Sequence, residues 1–341
     1  MPCCGNCFND RFLKEFIKTE PSKTTSDCAF CGSRNVPCIS AEKLAIHFLA
    51  VIENQYIEAD NNTGKPVWVL LNEDWLLFKN LTEKTCKSLF IEMFPDENIA
   101  GKKYVPRIIP FSDKIEKWEE FKEELKHENR YFYKKSPSQG EIEILFKYLI
   151  LTIWDTPSTF YRARINDDAT PFPLEKMGKP PLAVVRSGRA NPLGISYLYA
   201  ASNPETAIAE VKPYVGDYVC IARFESIRRM ALMDLRYPRE TISPFEIDEN
   251  DFDHVLNNIE YMRILGDELS KPIIPKKADL EYLSTQYLCE LIKHFNYDGV
   301  VYKSSVGNGD NYAIFNDDKL MINEVYVHKV TSAEYQSTRI N

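Results

Sequence analysis

Two groups of side chains in this sequence have the types and spacing to do chemistry. The first is Cys4-x2-Cys7 followed, after twenty residues, by Cys28-x2-Cys31. Each pair can wrap a tight turn that points both thiolates at one ion, with Gly5 and Gly32 supplying permissive backbone. Four thiolates close the coordination shell, so the ion expected here is a structural Zn2+, with Cys3 as a substitute ligand for Cys4. The second group is dispersed: Arg162 in "TFYRARI", Tyr199 in "ISYLYAA", Glu210 in "NPETAIAEV" and Ser304 in "DGVVYKSS". Such residues matter only if local structure aims them at one place, and strand ends beside a helix are where sheets commonly hold ligands.

The elements that must position them follow from periodicity and punctuation. Apolar residues at 8, 12, 13, 16 and 17 predict a short helix between the two cysteine pairs. Residues 41–57 predict a stronger amphipathic helix capped by Ser40, in which His47 reads as a histidine packed near the core. A third helix, 114–127, has Trp118, Phe121 and Leu125 as its buried stripe. Nothing from 34 to 140 has a catalytic pattern. "KKSPSQG" at 134–140 combines charge, proline, serine and glycine as linkers do, and "EIEILFKYLILTIW" then predicts a helix leading to a strand at 159–165.

From 182 onward short strands alternate with helices: "ISYLYAA", a helix capped by Asn203 with Pro204 in its first turn, "DYVCIARF", "RRMALMDLR", two long helices, then "DGVVYKSS", "NYAIF" and "NEVYVHKV". This pattern gives an α+β fold with a mostly antiparallel or split sheet, preceded by a mainly helical zinc-binding domain. The expected divisions are 1–135 for the N-terminal domain, 136–158 for a linker and connecting helix, 159–330 for the second domain and 331–341 for a tail. Neither a P-loop nor a Gly-x-Gly-x-x-Gly occurs.

The 341 residues, 44% of them hydrophobic, suffice for two globular domains. A net charge of −8 supplies no global basic field, so nucleic acid and anionic membrane are not the expected partners. No segment has the run of apolar residues that a membrane span needs, and the first residues do not form a secretory leader. Nine cysteines, an odd number with five before residue 32, fit reduced thiols and a cytoplasmic location better than a disulfide framework.

The run "FYRARI", then "SGRANPLGISYLYAASNPETAIAEV", "STQYLCELI" and "YDGVVYKSSVGNGDNYAIF" resembles the RES domain, named for its arginine, glutamate and serine. The resemblance covers roughly 155–330, with several motifs in order. The cysteine-bearing segment before it is similar to the HEPN/RES N-terminal region fused to RES domains in some bacterial proteins. The resemblance implies a fold like that of ADP-ribosyltransferase toxins, a split β-sheet core with flanking helices. It also implies action on NAD+, by hydrolysis, phosphorolysis or transfer of ADP-ribose to a protein. By motif, Arg162, Glu210 and Ser304 take the three family positions, and Tyr199 takes the aromatic position of the "LYxA" strand. Arg189 and Asn191 match the glycine-arginine-x-asparagine turn, and Arg164 and Ser305 are the near neighbours of Arg162 and Ser304. This sequence departs from the family in "YKSSV", where many members have proline and one serine.

The chemistry suits those residue types. Breaking the nicotinamide–ribose bond develops positive charge on the sugar, which a carboxylate hydrogen-bonded to ribose hydroxyls stabilises, and Glu210 fits that part. Nicotinamide leaves as a neutral group, so no second carboxylate is needed. Arg162 and Arg189 are suited to pyrophosphate or ribose oxygens, Tyr199 to stacking on a base, and Ser304 to orienting the amide or ribose. The leading expectation is a bacterial NAD+-degrading toxin or anti-phage effector. A protein ADP-ribosyltransferase is the first alternative, weakened by Ile208 and Ala209 where a Glu-x-Glu pair would stand, and an inactive zinc-bearing binding module is the second. The expected partners are NAD+ and, through the N-terminal domain, an antitoxin, a regulatory protein or a second copy of the chain.

Overall fold

The structure is a computed structural model that describes residues 1–60, 63–95, 98–107, 113–136, 138–151, 156–273, 275–333 and 339. Its early strands are β1 (Pro2–Cys4), β2 (Thr24–Ser26), β3 (Val36–Ser40), β4 (Tyr56–Ala59) and β5 (Lys103–Pro106). The later strands are β6 (Thr159–Asn166), β7 (Leu198–Ala201), β8 (Tyr218–Ser226), β9 (Leu232–Asp234), β10 (Gly299–Lys303), β11 (Asp310–Ile314) and β12 (Leu320–Lys329). The α-helices up to residue 148 are α1 (Arg11–Thr19), α2 (Ala45–Gln55), α3 (Val67–Trp75), α4 (Glu83–Met93), α5 (Asp113–His127) and α6 (Gln139–Tyr148). Those that follow are α7 (Pro204–Val211), α8 (Pro238–Thr241), α9 (Phe252–Ser270), α10 (Ala278–Glu281) and α11 (Leu283–His294). Among the described residues no helix is long and apolar enough to cross a membrane.

Two compact units interleave along the chain. One comprises residues 1–116, 138–148 and 237–261, the other 117–137, 149–236 and 262–341. In the first, β1, β3 and β2 form a small antiparallel sheet, and helices surround an aromatic core in which Phe8, Phe48 and Phe90 are fully buried. The predicted helix at 8–17 is α1, started by Asp10, whose side chain accepts the Leu13 N–H at 2.8 Å. The helix predicted to run to 57 ends at Gln55, because Tyr56–Ala59 pairs with β5 instead. His47 lies edge-on to Phe12 and Phe16, with ring centroids 4.9 and 4.6 Å away, and burial lowers its pKa.

The second unit is α+β and is built on a seven-stranded sheet in the order β12-β8-β6-β7-β11-β10-β9, antiparallel except for β9 against β10. Alternation puts Phe160, Leu198, Ala222 and Phe224 into a core on one face, where Tyr312 meets Phe160 edge-on at 4.9 Å. On the other face Ala163, Ala201, Val219 and Ile221 pack with Ala207 of α7. The predicted helix through 141–154 stops at Tyr148, since Ile150 bridges to Met233 and Leu151 N donates to the Leu232 carbonyl. Residues 152–155 of that stretch, Pro137 of the linker, and 334–338, 340 and 341 of the tail lie outside the described residues.

Residues 117–137 fold within this unit for a physical reason. Trp118, Phe121 and Leu125 form the predicted stripe and are buried, and Phe121 packs edge-on to Tyr287 of α11 at 4.8 Å. Glu124 accepts the backbone N–H groups of Lys134 and Lys135, each at 2.8 Å, which folds the segment back on itself. Replacing the fully buried Phe121 by alanine is expected to lower the stability of this unit by about 3–5 kcal/mol, read by thermal or denaturant unfolding. A change under about 1 kcal/mol would show that the segment is not part of the unit's core.

Candidate functional site

The strand β7 is paired along its length with β11 but meets β6 at a single register pair, Tyr161 opposite Ala201. Continuing that ladder would set Ala163 opposite Tyr199. Instead the strands part, and Arg162 Nη1 donates to the Tyr199 carbonyl at 3.1 Å, supplying the hydrogen bond the ladder omits. Burial, with Arg164 nearby, lowers the Arg162 pKa to about 10, so the guanidinium is still cationic at neutral pH. Its Nε is buried and has no hydrogen-bond partner among the described residues.

Across the sheet at this point run four residues in register on one face: Tyr161, Ala201, Asn311 and Tyr302. Above the gap lies α7, which the small Ala201 and Ala207 allow to approach closely. Asn203 caps the helix by accepting the Thr206 N–H at 2.8 Å, and Lys212 ends it in the left-handed region at φ 49°. Glu210 therefore falls in its last turn. A cavity of about 240 Å³ opens here, lined by Tyr161, Arg162, Tyr199, Glu210, Tyr302 and Asn311 among others.

Glu210 Oε1 accepts two hydrogen bonds, from Ser304 Oγ at 2.7 Å and from Asn311 Nδ2 at 2.6 Å. Its Oε2 has no hydrogen-bond partner among the described residues. Ser304 Oγ also accepts the N–H groups of Val306 (3.2 Å) and Gly307 (3.0 Å), so its own proton is directed at the carboxylate. The loop that carries it lies against the start of α7. A Cβ on Gly309 would stand 2.5 Å from Asn203 Nδ2 and 2.6 Å from Thr206 Oγ1, and Thr206 is fully buried and cannot yield. Asp310, next in the chain, is fixed by Arg236, which also grips Asp234 through two bonds of 2.9 and 2.8 Å. Ser305 is exposed and makes none of these contacts.

Arg162, Tyr199, Glu210 and Ser304 are thus brought together, while the other predicted contacts are not. Tyr199 lines the cavity, but its hydroxyl accepts the N–H groups of Ala190 (2.9 Å) and Asn191 (3.2 Å) and donates to Asn191 Oδ1 at 2.8 Å. Asn191, 2% exposed, spends its amide nitrogen on the carbonyls of Arg186, Pro192 and Ile195. Arg189 donates to the Lys271 carbonyl at 2.5 Å and lies over the Tyr282 ring. Arg164 donates to the Lys176 carbonyl. Arg189 and Asn191 hold the turn behind Tyr199, and neither they nor Arg164 line the cavity. The "STQ" of α11 holds the same turn: Thr285 Oγ1 donates to the Arg189 carbonyl, and Gln286 Nε2 donates to the Gly188 carbonyl and Ser187 Oγ.

Sequence reading missed Asn311, Tyr302 and Tyr161. The available signal was Asn311 itself, a polar residue of low strand propensity inside the otherwise apolar "NYAIF".

In the first unit, the sulfurs of Cys4, Cys7, Cys28 and Cys31 all lie within 4.8 Å of one another. The pairs Cys4–Cys31 and Cys7–Cys28 are 3.5 and 3.4 Å apart, close to the edge of about 3.8 Å that a tetrahedron with Zn–S bonds of about 2.3 Å would have. Gly32, at φ 73°, makes the second turn. Cys3 and Cys38 are buried nearby but stand outside the cluster of four.

A family model described as the RES domain matches residues 159–336. No curated protein matches the chain. Among solved structures, a chain of the M. tuberculosis MbcT–MbcA toxin–antitoxin complex is similar at 14% identity and a TM-score of 0.35, over 56% of this chain and 93% of that one.

The Tyr199 hydroxyl offers a direct test of that turn. Tyr199→Phe leaves the Ala190 and Asn191 N–H groups and the Asn191 amide oxygen without their partner, and is expected to cost about 2–4 kcal/mol in unfolding free energy. Wild-type stability in that variant would show that the hydroxyl does not hold the turn.

Proposed function

The chain belongs to the RES domain family, and on that premise we propose that the cavity beside Glu210 takes the nicotinamide–ribose end of NAD+ and breaks the bond between them. The observation that carries this reading is the half-occupied carboxylate: Oε1 is held by two donors, and Oε2 is left to meet a ligand. A cavity of about 240 Å³ is below the usual range for a whole drug-sized ligand, so one end of the dinucleotide enters and the remainder lies outside.

As the C–N bond breaks, its electron pair moves onto the ring nitrogen, nicotinamide leaves neutral, and positive charge develops at C1′. Glu210 Oε2, on an exposed side chain that lines the cavity, accepts a ribose hydroxyl and stabilises that charge. The Arg162 guanidinium, cationic at neutral pH and lining the cavity, offers positive charge to a substrate oxygen. The Tyr199 ring provides a face for the nicotinamide. Water or phosphate then adds an oxygen to C1′ and gives up its proton to solvent. Ser304 orients Glu210 in this reading, and Ser305 has no part.

The Cys4, Cys7, Cys28 and Cys31 cluster is proposed to hold one structural Zn2+, which would tie the two turns of the small sheet together. We further place the protein in the bacterial cytoplasm as a toxin or anti-phage effector, restrained by an antitoxin or through its N-terminal region.

Purified full-length protein is expected to release nicotinamide from NAD+. Glu210→Gln should lower that rate by at least about a hundredfold. It should not lower the unfolding temperature, because a negative charge in the last turn of a helix is opposed by the helix dipole. Undiminished turnover by Glu210→Gln would overturn the mechanism. Product analysis with and without phosphate separates phosphorolysis from hydrolysis, and labelled protein in a lysate incubated with labelled NAD+ would indicate transfer instead.

Metal analysis is expected to find one zinc per chain, lost together with thermal stability in Cys28→Ser. A metal-free preparation with the same unfolding temperature would remove the zinc assignment.

A further inference from the structure

We propose that Asn311 is a positioning residue for Glu210: its amide pins one carboxylate oxygen and thereby determines which oxygen faces the substrate. The inference deepens the reading above and relies on it for its kinetic arm.

The placement of Asn311 is rigid. β11 is paired on both sides at this residue, with Ala201 of β7 and Tyr302 of β10, so the backbone has no freedom to shift. The side chain is 6% exposed and ends 2.6 Å from Glu210 Oε1. A carboxylate only accepts, so the amide nitrogen must be the atom that faces it, and a charge-assisted bond of this length is among the stronger neutral–ion pairs. Ser304 reaches the same oxygen from a loop, and Asn311 reaches it from the middle of the sheet. The two donors bracket Oε1 and stop the carboxylate from rotating to exchange its oxygens. They also offset the unfavourable position of a negative charge at the C-terminal turn of α7.

The ionisable groups lining the cavity with Glu210 are Tyr161 and Arg162 on β6, Tyr199 on β7 and Tyr302 on β10; the strands packed under α7 also carry Arg164 on β6 and Tyr218, Cys220, Arg223 and Glu225 on β8. Burial raises the pKa of Tyr199 and Tyr302 and leaves Arg162 cationic at neutral pH, and Glu225 is held in an ion pair with Arg223 at 2.9 Å. A carboxylate introduced at 311 would stand in direct contact with Glu210, and the two would compete for a single proton.

Asn311→Leu is expected to lower kcat for nicotinamide release by about tenfold to a hundredfold with KM changed by less than about threefold, because orientation is lost and the cavity is kept. Asn311→Asp, of nearly identical shape, is expected to move the acid limb of the kcat/KM profile up by about one pH unit or more and to regain activity as the pH rises. A wild-type acid limb in Asn311→Asp would overturn the proposal. So would Asn311→Leu acting on KM alone. The second arm needs no turnover: carbon-13 NMR of glutamate carboxyl groups, with the Glu210 resonance identified by its loss in Glu210→Gln. In Asn311→Asp that resonance is expected to titrate at higher pH than in the wild type. An unchanged titration overturns the positioning role even if NAD+ is not the substrate. Absent turnover with a shifted titration overturns the NAD+ reading alone.

Discussion

The ladder between β6 and β7 stops after Tyr161 opposite Ala201, and the cavity exists because it stops there. Two strands that part inside a sheet leave backbone groups without partners and a gap between side chains, both costly in a packed interior. The chain answers the first cost with Arg162, whose guanidinium takes the Tyr199 carbonyl. The second is left open and lined with polar groups. Arg162 Nε, which is buried, and Glu210 Oε2, on an exposed side chain, have no hydrogen-bond partner among the described residues, and both side chains line a cavity of about 240 Å³.

Much of the surrounding chemistry keeps those two groups still. The Tyr199 hydroxyl and the Asn191 amide lock the turn at 188–191, and Thr285 and Gln286 clamp its other side. Gly307 and Gly309 let the loop carrying Ser304 lie on the buried Thr206, where any side chain would collide. Arg236, bonded to Asp234 and Asp310, ties the start of β11 to β9. Asn191, Tyr199, Thr285 and Gln286 thus belong to the support of the site. Polar atoms whose hydrogen-bonding capacity is already filled by neighbours have little left to offer a substrate.

The elements were largely legible in the sequence. The α+β pattern, the strands expected at 159–165, 217–224 and 311–315, the cap at Asn203 and the buried stripe of α5 all follow from spacing and local chemistry. Helix ends were less so. The helices expected through 57 and 154 end at Gln55 and Tyr148 because the residues beyond them find strand partners far away in sequence, and long-range pairing overrides a continuing apolar period. The interleaving of the compact units was also out of reach. It depends on Phe121 meeting Tyr287 across more than 160 residues, which no local signal encodes.

For the site, the sequence by itself determined which residue types were available, and the motifs marked Arg162, Tyr199, Glu210 and Ser304, which do converge. The cysteine spacing likewise anticipated a cluster of four sulfurs, since two short turns fix it almost entirely. Only the tertiary structure separated the groups that face the cavity from those that support it. It turned Arg189 and Asn191 away, brought in Asn311 and Tyr302, and chose Ser304 over Ser305. The physical reason is that hydrogen-bond satisfaction is a property of neighbours in space. A residue's chemistry is written in the chain, but whether that chemistry is already used is decided by what packs against it.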